Sequence, residues 1–272
     1  MRVLYDFFTG WFKYGFVRVG LCGVLLFAPM YGMLGTMVVS GKLAFFSDSL
    51  GHSALTGVAI GAILGLTNQF PATVGFGILF AVLLVMVKSR GKESTDTTLG
   101  VFSSAAMALG LVLMSLRGGF AKFSGVLIGD LLAMSPQDLI PLGIALAFTV
   151  AYMLIRYNKI LLVTTHQGLA KSRGINPLRI EIEFACVLAA VVMLSIQWVG
   201  ILTLNAMLII PAACGRNISG DTRTYTLSSI LFALGAGVFG LLLSFALGTA
   251  SGATIVLALT FIYLFTLTYN NI

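Results

Sequence analysis

Long apolar stretches recur along the whole chain and are separated by short polar intervals. An α-helix needs about 20 mainly apolar residues to cross the hydrocarbon core of a bilayer. The stretches lie near residues 15–38, 43–66, 71–88, 97–116, 138–156, 180–199, 200–214, 225–247 and 252–269. The one at 200–214 is short and contains Asn205 and Pro211, so it is a full span, a half-span or a continuation of the stretch before it. The pattern predicts an all-α, polytopic integral membrane protein with eight or nine transmembrane helices.

The composition supports the same fold class. Of the 272 residues, 58% are hydrophobic and 9% are charged, whereas about a quarter of the residues of a soluble domain are charged. The longest polar interval runs only from about Arg156 to Arg179. We therefore expect residues 1–272 to form a single transmembrane domain, with 1–14 as an interfacial N-terminal segment and 157–179 as a cytoplasmic loop.

The basic residues predict the orientation of the chain. Most of the 16 lysines and arginines follow the first, third, fifth and seventh stretches, and an excess of Lys and Arg marks cytoplasmic loops. With nine spans, the N-terminus is then outside and the C-terminus inside. The net charge of +7 needs no nucleic-acid partner, because no basic stretch is interleaved with aromatic residues.

The second stretch contains Asp48 and His52 in otherwise apolar surroundings. Ionisable side chains at membrane depth are unfavourable and usually face a partner or a pathway. Four residues span about one helical turn, so both side chains project from the same face. A carboxylate and an imidazole supply half of a four-ligand site for a divalent transition metal. The alternative is a structural pair, in which His52 bonds a neighbouring helix and Asp48 pairs with a basic residue such as Arg18.

Three glycines follow this pair at helical spacing. With 100° per residue, Gly57, Gly61 and Gly65 lie on the side of the helix away from Asp48 and His52. Small residues in such a row let membrane helices approach closely. Two ligands are too few for a transition-metal ion, and a two-fold homodimer would double them to two carboxylates and two imidazoles.

The sequence gives little support for cysteine chemistry or for ATP binding by this chain. Cys22, Cys186 and Cys214 stand alone in or beside apolar stretches, which is typical of buried small side chains. The sequence contains no GxxxxGK[ST] loop, so it cannot bind ATP in the P-loop manner. If ATP drives this protein, another polypeptide hydrolyses it.

Three blocks, FFSDSLGHSALTGVAIG, GDLLAMSPQDL and GILTLNAMLIIPAACGRNIS, resemble the membrane subunits of bacterial ABC importers for zinc, manganese and iron(II). The similarity covers about residues 15–265 and is closest to the zinc-uptake permeases. It implies a homodimeric permease core in the bacterial cytoplasmic (inner) membrane, with a cytoplasmic ABC ATPase on each subunit and an extracytoplasmic metal-binding protein. It also implies that Asp48 and His52 line the translocation path at the dimer interface. Zn²⁺ or Mn²⁺ would be cargo there, with no cofactor bound permanently.

The resemblance further implies an ATPase-docking helix in the loop 157–179. The matching stretch is THQGLAKSRGINP, whose aligned small and apolar positions are Gly168, Leu169, Ala170 and Gly174. Relatives often carry an acidic residue at the start of this stretch, where this chain has His166 and Gln167. We interpret His166 as a solvated or ATPase-facing residue.

Several other polar residues have more than one explanation. Asp130, on the outer side, is a gate or subunit contact, or simply a helix cap, and Asn205 lines the path or bridges helices. Glu181 and Glu183 begin the sixth stretch beside Arg179, where interaction with the helix dipole explains them. The fourth stretch lacks the histidine that zinc relatives can carry, so the sequence leaves zinc against manganese open.

We therefore expect a permease subunit that imports a divalent metal, with zinc first and manganese next, by alternating access driven by a separate ATPase. It would perform no covalent chemistry and would not itself be an enzyme. One alternative is an ABC permease for an iron chelate or another metal complex. A second is a proton-coupled secondary metal transporter in which Asp48 and His52 relay protons, and a third is a non-transporting membrane scaffold.

Overall fold

A computed structural model describes residues 13–66, 68–90, 95–116 and 129–270. The interfacial segment predicted for residues 1–14 therefore lies almost wholly outside the described residues. The α-helices are α1 (Gly15–Ser40), α2 (Ala44–Ile63), α3 (Phe70–Arg90), α4 (Thr95–Ser115), α5 (Leu139–Thr165), α6 (Gln167–Ser172), α7 (Pro177–Val199), α8 (Ile201–Ile218), α9 (Thr222–Leu247) and α10 (Ser251–Asn270). Two short 3-10 helices, Leu131–Ala133 and Pro136–Asp138, precede α5.

Most of these helices can span a membrane. In the described part of the chain, eight helices are long and apolar enough to do so, and α2 is not among them. With 20 residues, α2 still has the length of a span, but Asp48, His52 and its hydroxyl side chains make it more polar. The predicted all-α, polytopic fold is confirmed.

The stretch predicted near 200–214 is a separate helix. Gly200 divides α7 from α8 with φ 76° and ψ 157°, a conformation that glycine adopts far more readily than other residues. Pro211 lies inside α8. The 18 residues of this helix extend about 27 Å at 1.5 Å per residue. The half-span and the simple continuation are therefore both wrong, because the chain breaks at Gly200 and then forms a full-length helix.

The chain divides into two compact units, one formed by residues 1–36, 127–148 and 197–272 and the other by 37–126 and 149–196. In the first unit, α8, α9 and α10 pack against one another. Helix α1 joins them through Ser229 on α9, whose Oγ donates to the carbonyl of Gly32 at 2.8 Å. In the second unit, α2 packs against both α3 and α4.

The predicted cytoplasmic loop is mostly helical. Helix α5 continues to Thr165, so only a short part of 157–179 lies outside helices, and α6 occupies the predicted docking stretch. Gly174 follows α6 with φ 73°, a left-handed conformation that commonly ends helices. Pro177 then begins α7, a position where its missing N–H is not needed.

Candidate metal site

Asp48 and His52 lie on one face of α2, as predicted. Nε2 of His52 is 3.5 Å from Oδ2 of Asp48, and the two side chains are 29% and 44% exposed. Nδ1 of His52 is buried and makes no hydrogen bond within the described residues. The structural alternative requires a bond from His52 to a neighbouring helix, and the described residues contain none. The polar contact of His52 is with Asp48, on its own helix.

Hydroxyl side chains join α2 to α4. Oγ of Ser49 donates to the carbonyl of Leu99 at 3.3 Å, and Oγ1 of Thr56 donates to the carbonyl of Ala106. Both bonds connect residues 50 apart in sequence, so the pairing advances in the same direction along the two helices. Helices α2 and α4 therefore run parallel, as the second and fourth spans of an alternating chain must.

Glycines join α2 to α3. A Cβ added at Gly57 would lie 2.8 Å from Cα of Thr73, and one at Gly61 would lie 3.3 Å from Cβ of Ala72. These two glycines therefore allow the close packing that the sequence predicts for this side of the helix. Gly65 does not contribute to it, because it follows the end of α2 with φ 69° and a Cβ there would meet nothing within 4 Å.

The remaining face of α2 presents the ionisable pair. Setting Asp48 at 0°, His52 lies at about 40°, the residues bonded to α4 near 90°, and the glycines packed on α3 near 200°. Most of α2 is buried, including Leu55 and Ala59 on the same side as the pair, while the side chains of Asp48 and His52 stay partly exposed in the described part of the chain. Ionisable groups at membrane depth normally face a partner or a water-filled path, so the partial exposure of this pair is compatible with either role.

The described residues of one chain supply too few ligands for a complete site. No group of three or more His, Cys, Asp and Glu side chains in the described ranges could hold a metal ion. The whole sequence has two histidines, and His166 is at the exposed start of α6. The cysteines add nothing to the site: Cys214 is buried as predicted, but Cys22 is exposed and Cys186 half-buried. That prediction failed for Cys22 because a membrane helix also carries small apolar residues on its outer face.

Asp130 caps the short 3-10 helix Leu131–Ala133 in the first unit. Its Oδ1 accepts from the backbone N–H of Leu132 at 3.0 Å and lies 3.4 Å from Oγ of Ser251 at the start of α10. The preceding Gly129 has φ 67°, and a Cβ there would lie 2.4 Å from the backbone of Gly200. The cap explanation thus has direct geometric support, and a gate or subunit contact stays a prediction. Asn205 is half-buried in α8, and its role also stays open.

The predicted docking residues divide by exposure. Gly168, Leu169 and Gly174 are exposed, and Leu169 is an apolar side chain with 46% of its surface accessible. Ala170 is fully buried, so this side of α6 packs against the rest of the chain. Helix α6 therefore presents a small, partly apolar surface.

Sequence reasoning missed an ionic cluster beside α6. Nε2 of Gln167 donates to Oε1 of Glu181 at 2.8 Å, and Nζ of Lys88 is 3.5 Å from Oε2 of the same carboxylate. Glu183 pairs with Arg156 at 3.3 Å and with Arg179 at 3.2 Å. The helix-dipole explanation is insufficient, because the first turn of α7 has no acidic residue and the dipole effect fades beyond that turn. The partners on α3, α5 and α6 come from distant sequence, so spacing alone could not identify them.

Comparison with known proteins establishes the family. The family model described as the ABC 3 transport family matches residues 13–270. The chain belongs to this family. It is accordingly a multi-pass membrane protein of an ABC permease family.

Similar members of the family come from several bacteria. The chain is 32% identical to the high-affinity zinc uptake system membrane protein ZnuB of Haemophilus influenzae, over 91% of this chain and 94% of that one. It is 27% identical to the manganese import system permease protein ScaB of Streptococcus gordonii, over 96% and 94% of the two chains. The structure of PsaBC from Streptococcus pneumoniae in complex with Fab superposes with a TM-score of 0.86 at 26% identity, covering 97% of this chain and 95% of that chain. The predicted resemblance to zinc and manganese ABC permeases is confirmed.

Proposed function

We propose that this chain is the permease subunit of an ATP-driven importer for a divalent metal ion, with zinc as the first candidate and manganese as the second. The observation that carries the proposal is the partly exposed Asp48–His52 pair on one face of α2. Relatives similar over more than nine-tenths of the chain are named for zinc uptake and manganese import, which supports both candidates.

The chemistry of the pair suits a transported ion. Imidazole nitrogen and carboxylate oxygen bind both Zn²⁺ and Mn²⁺, and thiolate, which would hold Zn²⁺ more firmly, does not belong to the set. A transport site has to admit the ion and also release it. Two ligands from each of two chains meet that requirement, because the site exists only while the chains hold them together.

A second copy of the chain would complete the site. In a two-fold dimer the same face of α2 meets itself, which brings two Asp48 carboxylates and two His52 imidazoles around one axis. This arrangement supplies four ligands and also covers the ionisable pair from lipid.

The energy would come from a separate ATPase that docks on α6. The sequence has no P-loop, and Gly168 and Leu169 give α6 an exposed surface at the cytoplasmic side predicted from the basic residues. An extracytoplasmic metal-binding protein would deliver the ion at the opposite face of the inner membrane. Closure of two ATPase subunits would then move the docking helices and switch the path between outward and inward access.

The test is uptake of radioactive zinc in bacterial cells lacking their own zinc importer. The chain is expressed with its ATPase and binding protein, as wild type, Asp48→Ala, His52→Ala and Ser53→Ala. Ser53 is the matched control, since it is buried on the same helix and its Oγ donates to the carbonyl of Leu50 one turn earlier, within α2 itself. We expect at least a tenfold loss of uptake in the first two variants and near-normal uptake in the control, at equal protein levels in the membrane.

Two results would contradict the proposal. Uptake that persists in both Asp48→Ala and His52→Ala would assign the pair a structural role. Uptake that continues when the ATPase carries an inactivating substitution would favour a proton-coupled secondary transporter, in which the 3.5 Å contact relays protons. Manganese uptake, measured in parallel, shows which of the two metals the protein transports better.

A further inference from the structure

We propose that Glu181 is a positioning residue that couples the docking helix α6 to α2, the helix that carries Asp48 and His52. This inference rests on the proposed function, because it assigns a route by which movement of α6 reaches the metal pair. All the residues it needs lie in one compact unit, 37–126 and 149–196.

The first step joins α6 to α7. Gln167 is the first residue of α6, and its Nε2 donates to Oε1 of Glu181 at 2.8 Å. The neutral amide supplies a hydrogen-bond donor to the carboxylate, which an acidic side chain at this position would not do. Displacement of α6 therefore pulls directly on the Glu181 carboxylate.

The second step joins Glu181 to α3. Its other oxygen, Oε2, is 3.5 Å from Nζ of Lys88, and the two side chains are only 19% and 22% exposed. Ion pairs largely withdrawn from water are screened less by salt than exposed pairs. Removing one partner also leaves the other charge uncompensated. The two oxygens of one carboxylate thus connect the last turn of α3 with the first residue of α6.

The third step joins Lys88 and Glu181 to α2. Lys88 and Glu181 line a small cavity together with Leu43, Phe46 and Phe184. Phe46 belongs to the first turn of α2, is 3% exposed and precedes Asp48 by two residues. Because these residues share one small cavity, a shift of the Lys88–Glu181 pair changes the space into which Phe46, in the turn that holds Asp48, can move.

Glu183 provides the matched control two residues further along α7. Its carboxylate also forms ion pairs, with Arg156 of α5 at 3.3 Å and Arg179 of α7 at 3.2 Å. Neither partner belongs to α6, α3 or α2. Glu183→Gln therefore removes a comparable charge without interrupting the route.

The experiment follows α2 directly, in the full complex with its ATPase and binding protein in proteoliposomes. A cysteine is introduced at Phe45, which is 60% exposed, in a Cys22→Ser background that removes the exposed native thiol. The rate of labelling by a maleimide is measured with ADP and with ATP plus vanadate. We expect the two nucleotide states to differ at least threefold, and we expect Glu181→Gln to reduce that ratio to about one while Glu183→Gln retains it.

The same preparations give a second readout, the amount of zinc imported per ATP hydrolysed. We expect Glu181→Gln to keep ATP hydrolysis and bound ATPase but to import at least fivefold less zinc per ATP. Gln167→Ala, at an exposed residue, should change both readouts in the same direction even if Glu181→Gln fails to fold. The charge-exchanged double variant Lys88→Glu/Glu181→Lys should recover part of the coupling, because the amide of Gln167 can turn to accept as well as donate.

The outcomes separate this inference from the proposed function. A nucleotide-dependent labelling ratio that Glu181→Gln abolishes, without zinc or manganese uptake by the wild type, would support the coupling role and contradict the cargo. An unchanged ratio in Glu181→Gln and Gln167→Ala would overturn the inference, and so would an equal loss in Glu183→Gln. Absence of any nucleotide effect at Phe45→Cys, or loss of the bound ATPase in Glu181→Gln, would overturn it as well.

Discussion

Nε2 of His52 lies 3.5 Å from Oδ2 of Asp48, one turn apart on α2. This separation is longer than that of a strong hydrogen bond, and both side chains are partly exposed. An arriving metal ion can therefore replace this contact with little loss. The same weakness suits a site that has to release its ion.

We predict that Gly57→Ala destabilises the protein. The added Cβ would lie 2.8 Å from Cα of Thr73, and overpacking of this kind typically costs about 1–3 kcal/mol. The apparent Tm of the purified protein in detergent should therefore fall. Gly75→Ala on α3 is the control, since its Cβ would meet nothing within 4 Å and alanine favours the helix. A Tm equal to wild type in Gly57→Ala would contradict the close packing of α2 on α3.

We predict a smaller loss for Thr56→Val. The substitution preserves the shape of the side chain but removes the donor to the carbonyl of Ala106 on α4, which contributes about 0.5–1.5 kcal/mol. Thr260→Val is the matched control, because Thr260 is exposed and its Oγ1 donates within its own helix, to the carbonyl of Val256. Thermal unfolding of both variants checks this: equal losses would mean that the bond between helices contributes no more than the one within α10.

The face of α2 illustrates how far sequence reasoning reaches. The positions of Asp48, His52, Gly57 and Gly61 follow from helical geometry alone, because 100° per residue fixes their directions. Gly65 was misassigned since helix ends depend on local backbone conformation, here a positive φ after the last helical residue. Spacing could suggest the packing role of the glycines but not their neighbour on α3.

We predict that Asp221 makes stability fall in acid. Its carboxylate caps α9, and hydrogen bonds from the Thr224 side chain, then from the Thr224 and Arg223 backbone, lower its pKa below the ordinary 3.8. A lowered folded-state pKa means that the contribution is complete above about 3.8 and disappears as the pH falls through the folded value. The apparent Tm should drop over that range.

The control is Asp221→Asn, which retains a side chain suited to capping but cannot titrate. Below about pH 3.8, its Tm should fall less steeply than that of the wild type. Parallel pH profiles for the two proteins would show that the cap contributes no pH dependence.

The ionic cluster at Glu181 marks what sequence could not supply. In the sequence the nearest basic residue to Glu181 is Arg179. In the structure Glu181 instead contacts Lys88 and Gln167, which are distant in sequence and come together only when the chain folds. Similarly, the break between α7 and α8 depends on the backbone of Gly200, whereas the apolar pattern runs through it without interruption. The fold class follows from hydropathy, but long-range pairing and local backbone conformation do not.

The most direct test of the shared metal site is the stoichiometry of Zn²⁺ bound to the purified chain, measured by equilibrium dialysis together with its oligomeric mass. We predict one ion per two chains in a dimer, because each chain contributes one carboxylate and one imidazole to a four-ligand site. Asp48→Ala and His52→Ala should each abolish this binding, and Ser53→Ala should retain it. One ion per chain, or binding that survives both ligand substitutions, would contradict a site shared by Asp48 and His52 across the two-fold axis.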